Sequence, residues 1–198
     1  MKLTLTLTAI AFLLSFSSFG QRDPQTLLGD GIEYTSGFGG FMLQFPSIDG
    51  NVSSMTGGGG AVIINNQFYL GGYGLGLADD KRVTVEGVEY FVDFGHGGIM
   101  MGYVIMPTQM VHMEVGTKVG WGQVSFRETP SIPATRDIHD NIFLVNPTVS
   151  VEVNMTSWFK LNTGVGFQFA NGVDNFYYDS NDFNGVTYNL SLLFGWFR

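Results

Sequence analysis

Cysteine is absent from the 198 residues, which excludes a disulfide framework, thiolate chemistry and a cysteine-linked lipid anchor. Charge is scarce: 13% of the residues are charged, against about 25% in an average soluble domain, so an ordinary water-facing surface is disfavoured. Basic residues are the scarcest, with 9 Lys and Arg against 17 Asp and Glu and a formal charge of −8. That balance argues against a nucleic-acid binder, because phosphate recognition needs clustered Lys or Arg. The chain has no Walker loop, no His-Glu-x-x-His zinc site and no Gly-x-Ser-x-Gly elbow. Past the N-terminus, no stretch approaches the ~20 apolar residues of a membrane helix.

Glycine and aromatic residues are abundant instead, with 28 Gly, 18 Phe, 8 Tyr and 3 Trp in a chain that is 44% hydrophobic. Such a composition excludes disorder, and the length suits one domain with a substantial core. Met1-Lys2, the apolar run Leu3 to Leu14 and the small residues Ser18 and Gly20 predict a secretory signal peptide over 1–20, cleaved after Gly20. Thr and Ser break that run too often for a spanning helix. Loss of Lys2 takes the net charge from −8 to −9.

Beyond Gln21 the hydropathy has period two, with turn residues between the segments. Eight strands are predicted: Gly37 to Phe45, Gly57 to Ile64, Gln67 to Ala78, Val88 to Met106, Gln109 to Phe126, Asn141 to Met155, Trp158 to Ala170 and Gly185 to Phe197. Short connections at Asn65-Asn66, Pro107-Thr108 and Thr156-Ser157 alternate with long ones at Pro46 to Thr56, Asp79 to Gly87, Arg127 to Asp140 and Asn171 to Asn184. Three turns on one side and four loops on the other is the count of an eight-stranded antiparallel up-and-down transmembrane β-barrel. The expected organisation is signal peptide 1–20, periplasmic segment 21–36 and outer-membrane barrel 37–198.

Parity assigns the faces. Val111, Met113, Val115, Val119 and Trp121 alternate with His112, Glu114, Gly116, Lys118 and Gly120. Phe159, Leu161, Val165, Phe167 and Phe169 alternate with Lys160, Asn162, Gly164, Gly166 and Gln168. A soluble barrel such as a lipocalin also alternates, but the polar face here is mostly Gly, Asn, Ser, Thr and Gln, poor in Lys. Turned outward, the apolar face meets lipid, where a midplane Arg or Lys would cost about 2–4 kcal/mol, and the polar face fills a narrow lumen. Asp93, Glu114, Lys118, Glu152 and Lys160 are the expected lumen network, serving packing and pairing. Trp121, Trp158, Trp196, Tyr188 and Phe159 are candidates for aromatic girdles. Pro147 removes a ladder donor inside the sixth strand, which predicts a bulge or weakened register. The fourth and fifth strands, about 18 residues each, exceed the 9–11 that cross a bilayer, so their hairpin is expected to project.

The run Gly37-Phe38-Gly39-Gly40-Phe41, the segment Gly57 to Gly74 and the ending Leu192-Leu193-Phe194-Gly195-Trp196-Phe197-Arg198 resemble small outer-membrane β-barrel proteins of the Bacteroidota type. The resemblance covers most of the mature chain and implies insertion by the barrel-assembly machinery through the last strand. Members commonly end on an aromatic residue, whereas here Arg198 follows Phe197.

Chemical motifs are few. His96, His112 and His139 are far apart in sequence, and Ser125 is the nearest nucleophile for a lipid-modifying enzyme reading. Asp174, Asp179 and Asp182 share one loop with Tyr177 and Tyr178. This loop is a candidate for Ca²⁺, for the divalent ions of lipopolysaccharide or for partner contact, although its spacing is not that of an EF-hand. The leading expectation is a non-enzymatic barrel without cofactor. Its partners are outer-membrane lipid and lipopolysaccharide, and its loops serve surface interaction, adhesion or envelope integrity. The alternatives are an accessory subunit of a transport or secretion complex and an outer-leaflet lipid-modifying enzyme.

Overall fold

The computed structural model describes residues 31–85, 87–128, 138–175 and 177–197. The expected signal peptide, most of the 21–36 segment, part of the 127–140 loop, Phe176 and Arg198 lie outside the described residues. The chain divides into two units, residues 1–32 and 33–198, and the strands found among the described residues lie in the second. They are β1 (Thr35–Ile48), β2 (Asn51–Val52), β3 (Met55–Ile64), β4 (Phe68–Leu77), β5 (Lys81–Val85), β6 (Val88–Ile105), β7 (Val111–Glu128), β8 (Ile138–Asn154), β9 (Phe159–Asn171) and β10 (Gly185–Gly195) among the described residues.

Eight of these strands close a ring. The sheet runs β1-β3-β4-β6-β7-β8-β9-β10, and β10 pairs back onto β1 from Phe38↔Gly195 to Pro46↔Thr187. Every pairing is antiparallel, and closure leaves the ring without a free edge, the one arrangement that truly removes edges from an all-β protein. The eight correspond to the eight predicted segments with ends shifted by a few residues. β1 begins at Thr35, two residues before the expected start of the barrel.

Turn chemistry fixes the register. Asn65 and Asn66 both have positive φ, 52° and 58°, and the Gln67 N–H donates to the Ile64 carbonyl at 3.1 Å. This is the two-residue hairpin for which Asn is suited. The Asn65 side chain also accepts from the N–H groups of Glu33 and Tyr34 at 3.0 and 3.2 Å, tying the entry of β1 to the first turn.

The long-loop end contains more structure than expected. Asp49 and Gly50 take φ of 53° and 70° and fold β2 back onto β1. β5 pairs with the upper part of β6, from Lys81↔Val92 to Val85↔Val88, beyond the point where β4 stops at Gly76↔Gly95. β6 and β7 are each 18 residues long, matching the length read from the sequence.

Pro147 behaves differently from the expected bulge. The β7 ladder passes through Thr117↔Pro147 without a break, and the β8–β9 ladder skips from Val145↔Phe169 to Thr148↔Gly166 in unchanged register. The missing N–H interrupts pairing to one neighbour only. The hydrogen bonds on either side of the gap hold the alignment, because a one-residue slip would turn every side chain of β8 to the wrong face.

Apolar side chains cover the outer face of the ring: Val149 is 50% exposed, Trp121 59% and Phe169 54%. Trp158, Phe159 and Phe194 stack near the short turns, with centroids 5.1–6.2 Å apart. Trp121 with Phe143 and Phe167 with Phe169 form groups nearer the loops.

Candidate functional site

Inward parity places the polar residues of β7, β8, β9 and β10 around one axis. Nearest the short turns, the Glu152 carboxylate, 3% exposed, accepts from Lys160 Nζ at 2.7 Å and pairs with His112 Nε2 at 2.9 Å. Beside it, Glu114 accepts from the Tyr69 hydroxyl at 2.6 Å and from Asn162 Nδ2 at 2.7 Å. One level higher, Lys118 Nζ donates to Gln44 Oε1 at 3.1 Å and Asn189 Oδ1 at 3.0 Å. From there a relay continues, with Gln44 donating to Gln168 at 3.2 Å and Gln168 to the Phe183 carbonyl at 3.0 Å. Asn146 donates to Thr187 at 3.1 Å, and the Tyr73 hydroxyl lies 3.1 Å from His96 Nδ1. The expected lumen residues Glu114, Lys118, Glu152 and Lys160 thus lie together: two carboxylates and two ammonium groups balance inside a low-dielectric space, where an unbalanced charge would be costly.

Two tyrosines cross this lumen, and glycine makes room for them. A Cβ on Gly102 would lie 2.6–2.7 Å from the Tyr69 ring and hydroxyl, and one on Gly116 would collide with the same hydroxyl. Gly120 does the same for Tyr73. Tyr69 was not singled out in the sequence. The signal was available in Gly102 and Gly116, which pair across β6 and β7.

Asp93 departs from expectation. It faces outward near the loop end, exposed, with its carboxylate 4.0 Å from Arg127, while its neighbours Val92 and Phe94 point inward and are buried. The inside-out pattern inverts at this height. Val124, Phe126, Ile142 and Leu144 are also buried inside, and Gln123, Ser125 and Arg127 occupy the outer parity.

Those apolar residues form the floor of a plug. Tyr178, expected as an exposed contact residue, is 1% exposed and packs on Phe126 and Phe183 at 5.8 and 5.5 Å. Phe183 meets Phe94 at 5.2 Å. Tyr177 remains outside, 41% exposed. The loop holds its shape by capping: Asp179 accepts from the Asn181 N–H and Asp182 from the Asp179 N–H across the 3-10 turn Ser180–Phe183. Asp174 forms an isolated bridge with Asp179. Asp179 and Asp182 therefore serve backbone donors. Among the described residues no group of three or more His, Cys, Asp or Glu could hold a metal ion. Lys81 lies against the plug, its Nζ 5.8 Å from the centre of the Tyr178 ring and donating to the Ile48 carbonyl at 3.1 Å. Burial draws its ammonium below the usual lysine range, against the pull of Asp49, Asp79 and Asp182.

The two ends of the lumen differ. The loop end is filled, whereas the short-turn end holds a vestibule of about 380 Å³ between the three turns, with Glu114, Glu152 and Lys160 at its base. A smaller space of about 50 Å³ lies beyond Tyr69 and Glu114, beside Lys118 and Asn189.

Of the three candidate histidines, His139 alone comes beside the candidate nucleophile Ser125. His96 and His112 are buried in the lumen. Ser125 sits directly opposite His139 on the outer face, with Asp93 opposite Ser125 on the other side. A triad needs the imidazole between acid and hydroxyl; here the serine stands between, and Asp93 faces Arg127.

No protein-family model matches the sequence, and no curated protein matches it. Among solved structures, the chain is similar to the N-terminal β-barrel domain of Pseudomonas aeruginosa OprF, with a TM-score of 0.57, 10% identity, and 84% of this chain and 100% of that one covered. It is also similar to Ail, the attachment invasion locus protein of Yersinia pestis, solved with the heparin analogue sucrose octasulfate. There the TM-score is 0.53 at 13% identity, with 82% of this chain and 97% of that one covered. At such identities the likeness is one of fold, and by fold this chain is a closed, eight-stranded antiparallel β-barrel similar to those of small outer-membrane proteins.

Proposed function

We propose that the protein is an integral, non-enzymatic component of the bacterial outer membrane, with a sealed lumen and loops that serve surface interaction, adhesion or envelope integrity. The observation that carries this reading is the exposed apolar belt around a closed ring whose charged residues, in that zone, all point inward. In hydrocarbon every backbone polar group must be paired, which a closed ring achieves. Ten residue steps separate Phe159 from Phe169 on β9; at about 3.3 Å per residue and a tilt of roughly 40° they span about 25 Å, the height of an outer-membrane apolar band. The inversion at Asp93 marks the level where the outside becomes water again. The short turns then face the periplasm and the long loops the exterior, and β10 supplies the terminal strand for the assembly machinery.

The loop surface narrows the partner class. Among the described residues it carries Asp49, Asp79, Asp80, Glu89, Asp93, Asp140, Asp174, Asp179 and Asp182 against Lys81, Arg82 and Arg127. Such a surface repels a polysulfated ligand of the kind bound to Ail and suits cationic partners or the divalent ions between lipopolysaccharide phosphates. The test is reconstitution of the mature protein. It is expected to need an amphiphile to fold, to migrate on gels in a heat-modifiable manner and to show negligible conductance in planar bilayers. A monomer folded in plain buffer would overturn the membrane placement, and large stable channels would overturn the sealed lumen.

A further inference from the structure

Two independent features meet at the short-turn end. One is space: the vestibule of about 380 Å³ falls within the size range of small-molecule sites, and Phe38, Ile63, Val104 and Leu193 give it apolar walls. The other is a carboxylate that, among the described residues, no ammonium group contacts directly, although Lys118 and Lys160 act on it from a distance. Glu114 is 8% exposed and lines both the vestibule and the space beyond it. Its hydrogen-bond donors, the Tyr69 hydroxyl and the Asn162 amide, are neutral. Neither ammonium group of the lumen pairs with it directly. Lys160 is held by Glu152 at 2.7 Å and lies 4.3 Å from the centre of the Phe197 ring, and Lys118 is held by Gln44 and Asn189.

We infer that the vestibule is a binding site for a compact organic cation, a primary ammonium that seats on Glu114 with its apolar body against Phe38, Ile63, Val104 and Leu193. Each Glu114 oxygen already accepts one hydrogen bond and keeps a further lone pair for an N–H donor. A carboxylate and an ammonium in a partly desolvated pocket form the strong, charge-assisted kind of hydrogen bond. An anion would meet Glu114 and Glu152 together, since the Lys160 ammonium beside them is already held by Glu152, and a neutral molecule would leave Glu114 as it is. Access from the periplasm rests on the membrane placement proposed above, whereas binding requires the barrel alone.

The test uses the mature protein in nanodiscs, with empty nanodiscs as reference. n-Hexylamine, protonated at neutral pH, is titrated in parallel with 1-hexanol and hexanoate and followed by calorimetry or ligand-observed NMR. Saturable amine binding is expected, tighter than that of the alcohol by at least about tenfold, with Glu114→Gln removing that advantage. Thr108→Trp, on an exposed turn at the rim of the vestibule, is expected to block the amine as well. Equal binding of amine and alcohol, or amine binding unchanged in Thr108→Trp, would overturn the proposal. Heat-modifiable migration is recorded for every variant. If Glu114→Gln fails to fold, Thr108→Trp and the alcohol decide the matter. A wild-type protein lacking heat-modifiable migration would count against the membrane reading, while a folded barrel that ignores the amine counts against the pocket.

Discussion

Replacing Glu152 with Leu should expose how the lumen balances its charges. The carboxylate is 3% exposed and holds Lys160 Nζ at 2.7 Å and His112 Nε2 at 2.9 Å. Its removal strands the Lys160 ammonium inside the barrel, and breaking a buried pair in this way costs about 3–5 kcal/mol. Lys160→Met is milder, about 2–3 kcal/mol, because Glu152 keeps His112 and the loss is one charge-assisted hydrogen bond. The double variant Glu152→Leu/Lys160→Met removes both charges and fills their volume with carbon, so it should fall within about 2 kcal/mol of the parent. The cycle then gives a coupling energy of about 3 kcal/mol or more, well above the roughly 0.5 kcal/mol within which distant sites add. Urea unfolding in lipid or detergent, read by the fluorescence of Trp121, Trp158 and Trp196 and by gel migration, measures each corner. Additive losses, or a double variant as unstable as Glu152→Leu, would refute a dry, paired interior and point to a wetter one.

Other perturbations separate the remaining parts. Val165→Arg, near the middle of the outer face of β9, should cost about 2–4 kcal/mol in a bilayer, while Gln123→Arg on the same kind of face near the loops should cost about 0–1 kcal/mol; comparable losses at the two sites in lipid unfolding would contradict the placement of the belt. Phe183→Ala removes a fully buried ring of the plug and should cost about 3–5 kcal/mol while raising protease cleavage within residues 172–184; a loop as protected as before would contradict the plug. Gly102→Val meets the Tyr69 ring at 2.6–2.7 Å and should cost about 1–3 kcal/mol by overpacking. Gly74→Ala, where a Cβ meets nothing within 4 Å, should stay within about 0.5 kcal/mol. Equal losses for the two glycines in the same unfolding assay would show that Tyr69 does not need its cradle.

Much of the site was legible along the chain because β-strand side chains alternate with a fixed period. Glu114, Lys118, Glu152 and Lys160 share the parity of Gly, Asn and Ser, and that parity alone put them on one side of the sheet. Asp93 shows where the rule stops. Tyr90, Val92 and Phe94 alternate with Glu89 and Asp93 as regularly as residues lower in the barrel do, but alternation does not say which face meets lipid and which meets water. The Asp49-Gly50 pair was a hairpin signal inside a segment read as a loop, so β2 was readable locally. Tyr178 was not, because its burial depends on Phe126, more than fifty residues away in sequence.

The amino-acid order by itself determined the number of barrel strands, their up-and-down succession and the chemical sorting of their two faces, since these follow from local geometry and turn residues. Ring closure and register decided the rest. They chose Glu152 as the partner of Lys160, left Glu114 between Tyr69 and Asn162, drew Tyr178 and Phe183 into the mouth of the barrel and kept an open vestibule at the opposite end. Those outcomes depend on the stagger between distant strands, which sets the depth at which each inward side chain meets the axis and which no single segment encodes.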